Sequence, residues 1–136
     1  MVIVGVDFGT RRIGVAVSDD DGRGAYPLAT IDRHSLKRDL GQLANLLAPR
    51  KPERLVVGLP LSMDGSEGPM ARAARRFANR LADHLQLPVE LFDERLTSFE
   101  ARLRLAELGR AKRSRIDAVA AAVILEGWLE ANARER

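Results

Sequence analysis

Val2-Ile-Val-Gly-Val-Asp-Phe-Gly-Thr-Arg-Arg-Ile-Gly-Val-Ala-Val-Ser18 opens the chain and decides its fold class. Residues 2–6 carry no polar side chain, the pattern of a strand covered on both faces, and residues 13–17 read as a second strand reached through a short turn. Asp7 therefore stands where the first strand runs out, at the edge of a core. A charge beside a dry sheet has to be paired, hydrogen-bonded or bound to a metal. Gly9 and Gly14, lacking Cβ, let a phosphate or another backbone approach closely. Asp7 also reads as a plain hairpin turn residue, a role that needs none of this.

Working outward, residues 24–32 read as a third, antiparallel strand in which Pro27 marks an edge or bulge position. Ser35 can cap a helix with Leu36, Leu40, Leu43, Leu46 and Leu47 at helical spacing, ending before Pro49. Residues 54–59 form a short apolar strand, parallel to the first because a helix crosses between them. Residues 60–69 are dense in turn formers and are expected to be a mobile loop, with Pro69 at the first position of the next helix, which runs to Leu85. Residues 89–92 give a fifth strand that ends at Asp93-Glu94-Arg95. Two capping boxes, Thr97-x-x-Glu100 and Ser114-x-x-Asp117, then announce two helices. The order β-β-β-α-β-α-β-α-α predicts an α/β fold: a mixed five-stranded sheet with helices on both faces, in one domain over residues 1–136.

Composition narrows the chemistry. With 46% hydrophobic and 30% charged residues and no membrane-length apolar run or basic-then-apolar leader, the chain reads as a soluble, cytoplasmic protein with no membrane partner. There is no cysteine, so disulfides and thiolate metal sites are excluded; His34 and His84 are too few and too scattered for an imidazole zinc site. Any metal must use carboxylates. The net charge of +3 is unevenly spread: six cations against the single acid Glu107 give residues 102–115 a local charge of +5. Arg72, Arg75, Arg76 and Arg80 form a second ridge at i, i+3, i+4 and i+8. Such ridges suit a polyanion, although an arginine-rich helix face is also an ordinary solvated one.

Ligands of an open α/β sheet gather beyond the C-terminal ends of its parallel strands. Asp7, the Asp93-Glu94 pair and Asp117 in the last helix can converge there. Mg2+ and Mn2+ take oxygen ligands and keep several waters, so a few carboxylates and a substrate phosphate hold them, and a two-metal site hydrolyses a phosphodiester without histidine. Each acid has a plainer role as well: Asp117 as a helix cap, Asp93 and Glu94 as surface charges partnered by Arg95. Aromatic residues, at 4%, are too sparse for a base-stacking platform, and Trp128 and Phe77 read as core.

Four blocks, Asp7-x-Gly9-x-x-Arg12-Ile-Gly14-Val-Ala16, Val56-Val-Gly-Leu-Pro60, Asp93-Glu-Arg-Leu-Thr97-Ser98 and Ile116-Asp117-x-x-Ala120-Ala121 before Ile124-Leu125, together resemble the YqgF family, also called RuvX. The resemblance spans nearly the entire chain. It implies an RNase H-like fold related to the RuvC Holliday junction resolvases and a Mg2+- or Mn2+-dependent nuclease. The family is described both as junction resolvases and as nucleases maturing the 5′ end of pre-16S rRNA. Carried over, Asp7, Glu94 and Asp117 are the metal-binding catalytic triad, with Asp93 the alternate for Glu94. Arg12 and Arg95 contact phosphate, and Arg72, Arg76, Lys112 and Arg113 of the basic ridges join them on structured nucleic acid, a four-way DNA junction or pre-rRNA. RuvC-type enzymes place a carboxylate at the end of the fourth strand; here that strand ends in Gly58-Leu59-Pro60. Resolution of a two-fold junction implies a homodimer. Two other functions fit part of the pattern: an actin- or sugar-kinase-like ATP-binding protein, through Asp7-Phe-Gly-Thr10, and a nucleic-acid-binding protein that does not cut.

Overall fold

A computed structural model describes residues 1–97 and 113–134. Strands β1 (Ile3–Phe8), β2 (Arg12–Ser18), β3 (Ala25–Asp32), β4 (Arg54–Leu59) and β5 (Val89–Asp93) form one five-stranded sheet in the order β3-β2-β1-β4-β5. The first three strands are an antiparallel meander, and β4 and β5 run parallel to β1, so the sheet is mixed as expected. β3 is an edge strand. Its register slips where Val15 faces Ala29 but Ala16 faces Pro27, the bulge that a proline without an N–H allows.

Side chains alternate across β1 and so divide the core. Val4, Val6 and Phe8 pack with Ile13, Val15 and Val57 beneath α1 (Leu36–Leu47) and α2 (Pro69–Leu85), which contribute Leu40, Leu43, Leu47, Ala74, Phe77 and Leu81. Leu43 and Leu81 are fully buried, each stabilising the fold by roughly 1.5–3 kcal/mol. Ser35 caps α1 by accepting from the Arg38 backbone N–H. On the opposite face Ile3, Ala16, Val56 and Phe92 pack against Ala121, Ile124, Leu125 and Trp128 of α3 (Arg113–Arg134). Phe77 and Trp128 are core residues, as their spacing predicts.

One local expectation is corrected. α3 is already helical at Arg113, so Ser114 lies within it and does not precede it as a cap. The Asp117 side chain instead pairs with Arg12, 105 residues away, a tertiary contact that no local capping pattern foreshadows. The helix expected over residues 98–108, the Glu100 of its Thr97-x-x-Glu100 box and residues 102–112 of the basic cluster lie outside the described residues. No helix among the described residues is long and apolar enough to cross a membrane.

Candidate metal and nucleic-acid site

Three acids meet at the C-terminal end of the parallel strands, and two glycines let them. Asp7 faces Gly14 across the β1–β2 pair. A Cβ on Gly14 would lie 1.9 Å from the backbone oxygen of Asp117, so only a glycine there allows the first turns of α3 to rest on the sheet beside Asp7. The close approach that Gly14 predicts is therefore that of another backbone. On the other side, Val6 is paired with Val57, which makes Gly58 of β4 the next residue beside Asp7. A Cβ there would stand 2.5 Å from Ile124 Cδ1 and 3.1 Å from the carboxyl carbon of Glu94, the two side chains that share the space the glycine leaves. Asp7 is thus flanked by Asp117 over Gly14 and by Glu94 over Gly58.

The electrostatics follow. Burial, then the charge of Asp117, pushes the Asp7 carboxyl up to about 6. Burial, then the charges of Asp7 and Asp93, pushes Glu94 up to about 7. Neither acid forms an ion pair among the described residues. Asp117 does: Arg12 Nε donates to its Oδ2 at 2.5 Å. Asp93 is engaged as well. It caps the 3-10 turn Glu94–Leu96 by accepting from the Arg95 backbone N–H, and Arg95 Nη2 donates to its Oδ2 at 2.7 Å. That fork holds the Asp93 carboxyl below its ordinary range. The two neighbouring acids at the end of β5 are therefore opposites, one neutralised at the surface by Arg95 and one half-buried against Asp7.

The donor chemistry is that of a hard divalent cation, carboxylate oxygens alone in a cleft where burial and mutual repulsion penalise two of the charges. As the side chains stand, no group of three His, Asp or Glu residues among the described residues is gathered tightly enough to hold one ion. Arg12 occupies the carboxylate that would complete the set. A cavity of about 350 Å3 opens beside Glu94 and Arg95, walled by Pro60, Leu61 and Met63. The loop over residues 60–69 that forms this wall is tied within itself and to the site: Ser62 N–H donates to the Ser66 carbonyl at 2.9 Å, and Arg95 Nη1 donates to the Met63 carbonyl at 3.3 Å.

The arginines expected to meet phosphate are distributed unevenly. Arg12 and Arg95 flank the acids. Arg72 Nη1 donates to the Glu67 carbonyl and Arg75 pairs with the Glu67 carboxylate, whereas Arg76 and Arg80 turn to a cavity on the other face of the sheet. Lys112 lies outside the described residues, and Arg113 begins α3. His34 is engaged only locally, its Nδ1 donating to the Asp32 carbonyl oxygen at 3.0 Å. Sequence reasoning missed Gly58: a glycine near the end of an apolar strand gave no sign that it helps make room for an acid just past the end of the neighbouring strand.

Comparison with known proteins places the chain. Residues 1–131 match the family RuvX, Holliday junction resolvase. A relative from Anaeromyxobacter sp. (strain K), named "Putative pre-16S rRNA nuclease", is 52% identical over 136 residues, covering 98% of this chain and 99% of that protein. One of the same name from Chloroflexus aggregans is 52% identical over 132 residues, covering 95% and 93%. Among solved structures, Thermus thermophilus RuvC in complex with Holliday junction substrate aligns with a TM-score of 0.64 at 17% identity, covering 98% and 96% of the two chains. The fowlpox virus Holliday junction resolvase aligns at 0.56 and 13% identity, covering 96% and 99%. The fold is therefore the RNase H-like one of these resolvases, and by sequence the chain belongs to the RuvX family.

Proposed function

We propose that this chain, a single RNase H-like domain over residues 1–136, is a Mg2+- or Mn2+-dependent nuclease that hydrolyses phosphodiester bonds in structured nucleic acid, a four-way DNA junction or the 5′ end of pre-16S rRNA. The observation that carries the reading is the pair Asp7 and Glu94: two partly buried acids at the ends of β1 and β5, Asp7 raised by burial and by Asp117, Glu94 by burial and by Asp7 and Asp93, with no ion pair among the described residues to offset them. A fold does not keep such a pair for stability, since each ionised carboxylate there is unfavourable without a cation. The relatives named as pre-16S rRNA nucleases and the RuvX family description supply the substrate class.

Asp7, Glu94 and Asp117 are the residues that would hold the ions. When bound, two such ions would supply an activated water and offset charge on the attacking and leaving oxygens. The remaining work falls to the chain itself. Asp7 gives up the proton it retains below about pH 6 and Glu94 the one it retains below about pH 7, which couples occupancy of the site to pH. Arg12, at 2.5 Å from Asp117, keeps that carboxylate beside the site and presents a guanidinium where a phosphate arrives. Arg95 does the same from the far side while Asp93 orients it. That division of labour favours Glu94 over Asp93 as the second acid. Arg72, Arg76, Lys112 and Arg113 hold backbone phosphates, contacts that add affinity with little base preference. Resolution of a junction, with two symmetric cuts, requires a homodimer; trimming of an RNA end does not.

The test is cleavage, side by side in Mn2+ and in EDTA, of a four-way DNA junction and a 5′-extended pre-16S rRNA fragment, with Asp7→Asn as control. Metal-dependent cutting lost in Asp7→Asn is expected, and the substrate cut identifies the reaction. If the wild type binds both but cuts neither, the protein is a binder and the reading fails.

A further inference from the structure

Directly behind the acids, on the opposite face of the sheet, lies a second cavity of about 310 Å3. Asp7 and Phe8 are consecutive on β1 and so point to opposite faces. Phe8 lines this cavity together with Leu36 of α1 and Phe77 of α2. Phe8 and Phe77 stack at 4.3 Å between ring centroids, and Leu36 is 43% exposed, a large apolar surface left at the cavity mouth. Three cations line the same space, Arg33, Arg76 and Arg80.

These cations are placed for a ligand. Arg33 lies with its guanidinium carbon 4.3 Å over the Phe8 ring, and its Nη1 donates to the carbonyls of Gly9 and Thr10 in the turn that follows Asp7. The guanidinium plane is fixed before anything binds, the state in which arginine best stacks on a flat ring. Arg76 and Arg80, at i and i+4 on α2, repel each other, and neither has an ion pair or hydrogen bond among the described residues. No acidic side chain among the described residues lines the cavity. Apolar wall, pinned guanidinium and two free cations together fit a flat ring joined to an anion. At about 310 Å3 the volume is at the small end of ligand pockets, roughly 300–1,000 Å3, which suits one nucleotide.

We propose that this cavity binds an unpaired nucleotide of the nucleic-acid strand held at the acidic site, its base against Arg33 and Leu36 and its phosphate on Arg76 and Arg80. The strand would reach it over the turn at residues 9–11, so the cavity would favour substrates with a single-stranded extension. The proposal rests on the nuclease reading for the strand, and goes beyond it in naming a second subsite on the other face of the sheet.

The test is binding in EDTA of a blunt four-way junction, the same junction with a single-stranded extension on one arm, and AMP. The proteins are wild type, Arg76→Gln/Arg80→Gln and Leu36→Glu. An acid at position 36, the first residue of α1, is favoured by the helix dipole, so that variant keeps its fold. The extension should tighten wild-type binding by roughly tenfold or more. Both variants should lose that gain, whatever happens to the blunt junction. A gain that is absent, or equal in wild type and variants, overturns the proposal. Binding of AMP without any gain from the extension overturns it in favour of a free nucleotide. Inorganic phosphate competing as well as AMP removes the base from the assignment. Failure of the blunt junction alone to bind counts against the nuclease reading and leaves the comparison of extended probes intact.

Discussion

Asp7→Asn should make the metal-free protein more stable. The Asp7 carboxyl is raised from 3.8 to about 6, chiefly by burial and then by Asp117. Below pH 3.8 it is protonated whether the chain is folded or not, and contributes nothing. Between there and pH 6 the unfolded chain ionises it while the folded chain still holds the proton, so stability falls as pH rises. Above 6 the full penalty is present, about 3 kcal/mol for a rise of this size. Asparagine keeps the shape and removes the charge. Its amide finds no hydrogen-bond partner already in place, which returns part of the gain and leaves roughly 1–3 kcal/mol, or on the order of 3–9 °C in Tm for a domain of this length. The assay is thermal and urea unfolding in EDTA at pH 7.5 and again at pH 4. The variant should gain at the higher pH and little at the lower one. Mn2+ should raise the wild-type Tm and leave the variant nearly where it was, so the order of the two reverses. If Asp7→Asn loses stability in EDTA at pH 7.5, Asp7 is a structural turn residue and the burial argument is wrong.

Other outcomes follow from the same geometry. Apparent Mn2+ affinity, measured by titration calorimetry, should rise from pH 5.5 to about 7.5 and then level off, because Asp7 near 6 and Glu94 near 7 must both lose protons to the ion; a flat profile would place the ion elsewhere. Gly14→Ala should destabilise by on the order of 3 kcal/mol in urea unfolding, since the new Cβ would meet the Asp117 carbonyl at 1.9 Å and backbone cannot give way cheaply. Gly58→Ala meets only the movable Ile124 Cδ1 and the Glu94 carboxylate, so it should keep most of its stability while cleavage falls by roughly 100-fold; equal loss of both would argue against Glu94 as a working group. A double-mutant cycle of Arg12→Gln and Asp117→Asn in EDTA should give a coupling of about 1 kcal/mol, the partly exposed pair being screened, and a value near zero would mean that the two are not partners in solution.

Much of this molecule is written in short-range pattern. The uninterrupted apolar run of β1, the leucine spacing of α1 behind Ser35, Pro69 at the start of α2 and Pro27 on an edge strand each obey rules that act over a few residues, and each element formed where those rules place it. The candidate acids were legible for the same reason: a charge at the end of a buried strand stands out against its neighbours. What short-range pattern could not carry is which of those charges are spent on one another. Asp93 and Glu94 are adjacent and chemically alike, yet Arg95 takes the first and Gly58, 36 positions upstream, makes room for the second. Ser114 and Asp117 spell a capping box, but Arg12 holds Asp117 across the sheet. Arg33, Arg76 and Phe8 belong to three different elements and share a cavity only because α1 and α2 cover the same face.

Periodicity and capping are local energies, and the amino-acid sequence determined through them which segments are strands and helices and where the unpaired charges begin. Ion pairs, close backbone approaches and cavities depend on distances between residues far apart in the chain. Those distances exist only once the sheet is ordered and α3 has settled on Gly14, so the tertiary structure alone decided which carboxylates lie near one another and which arginines are paired with them.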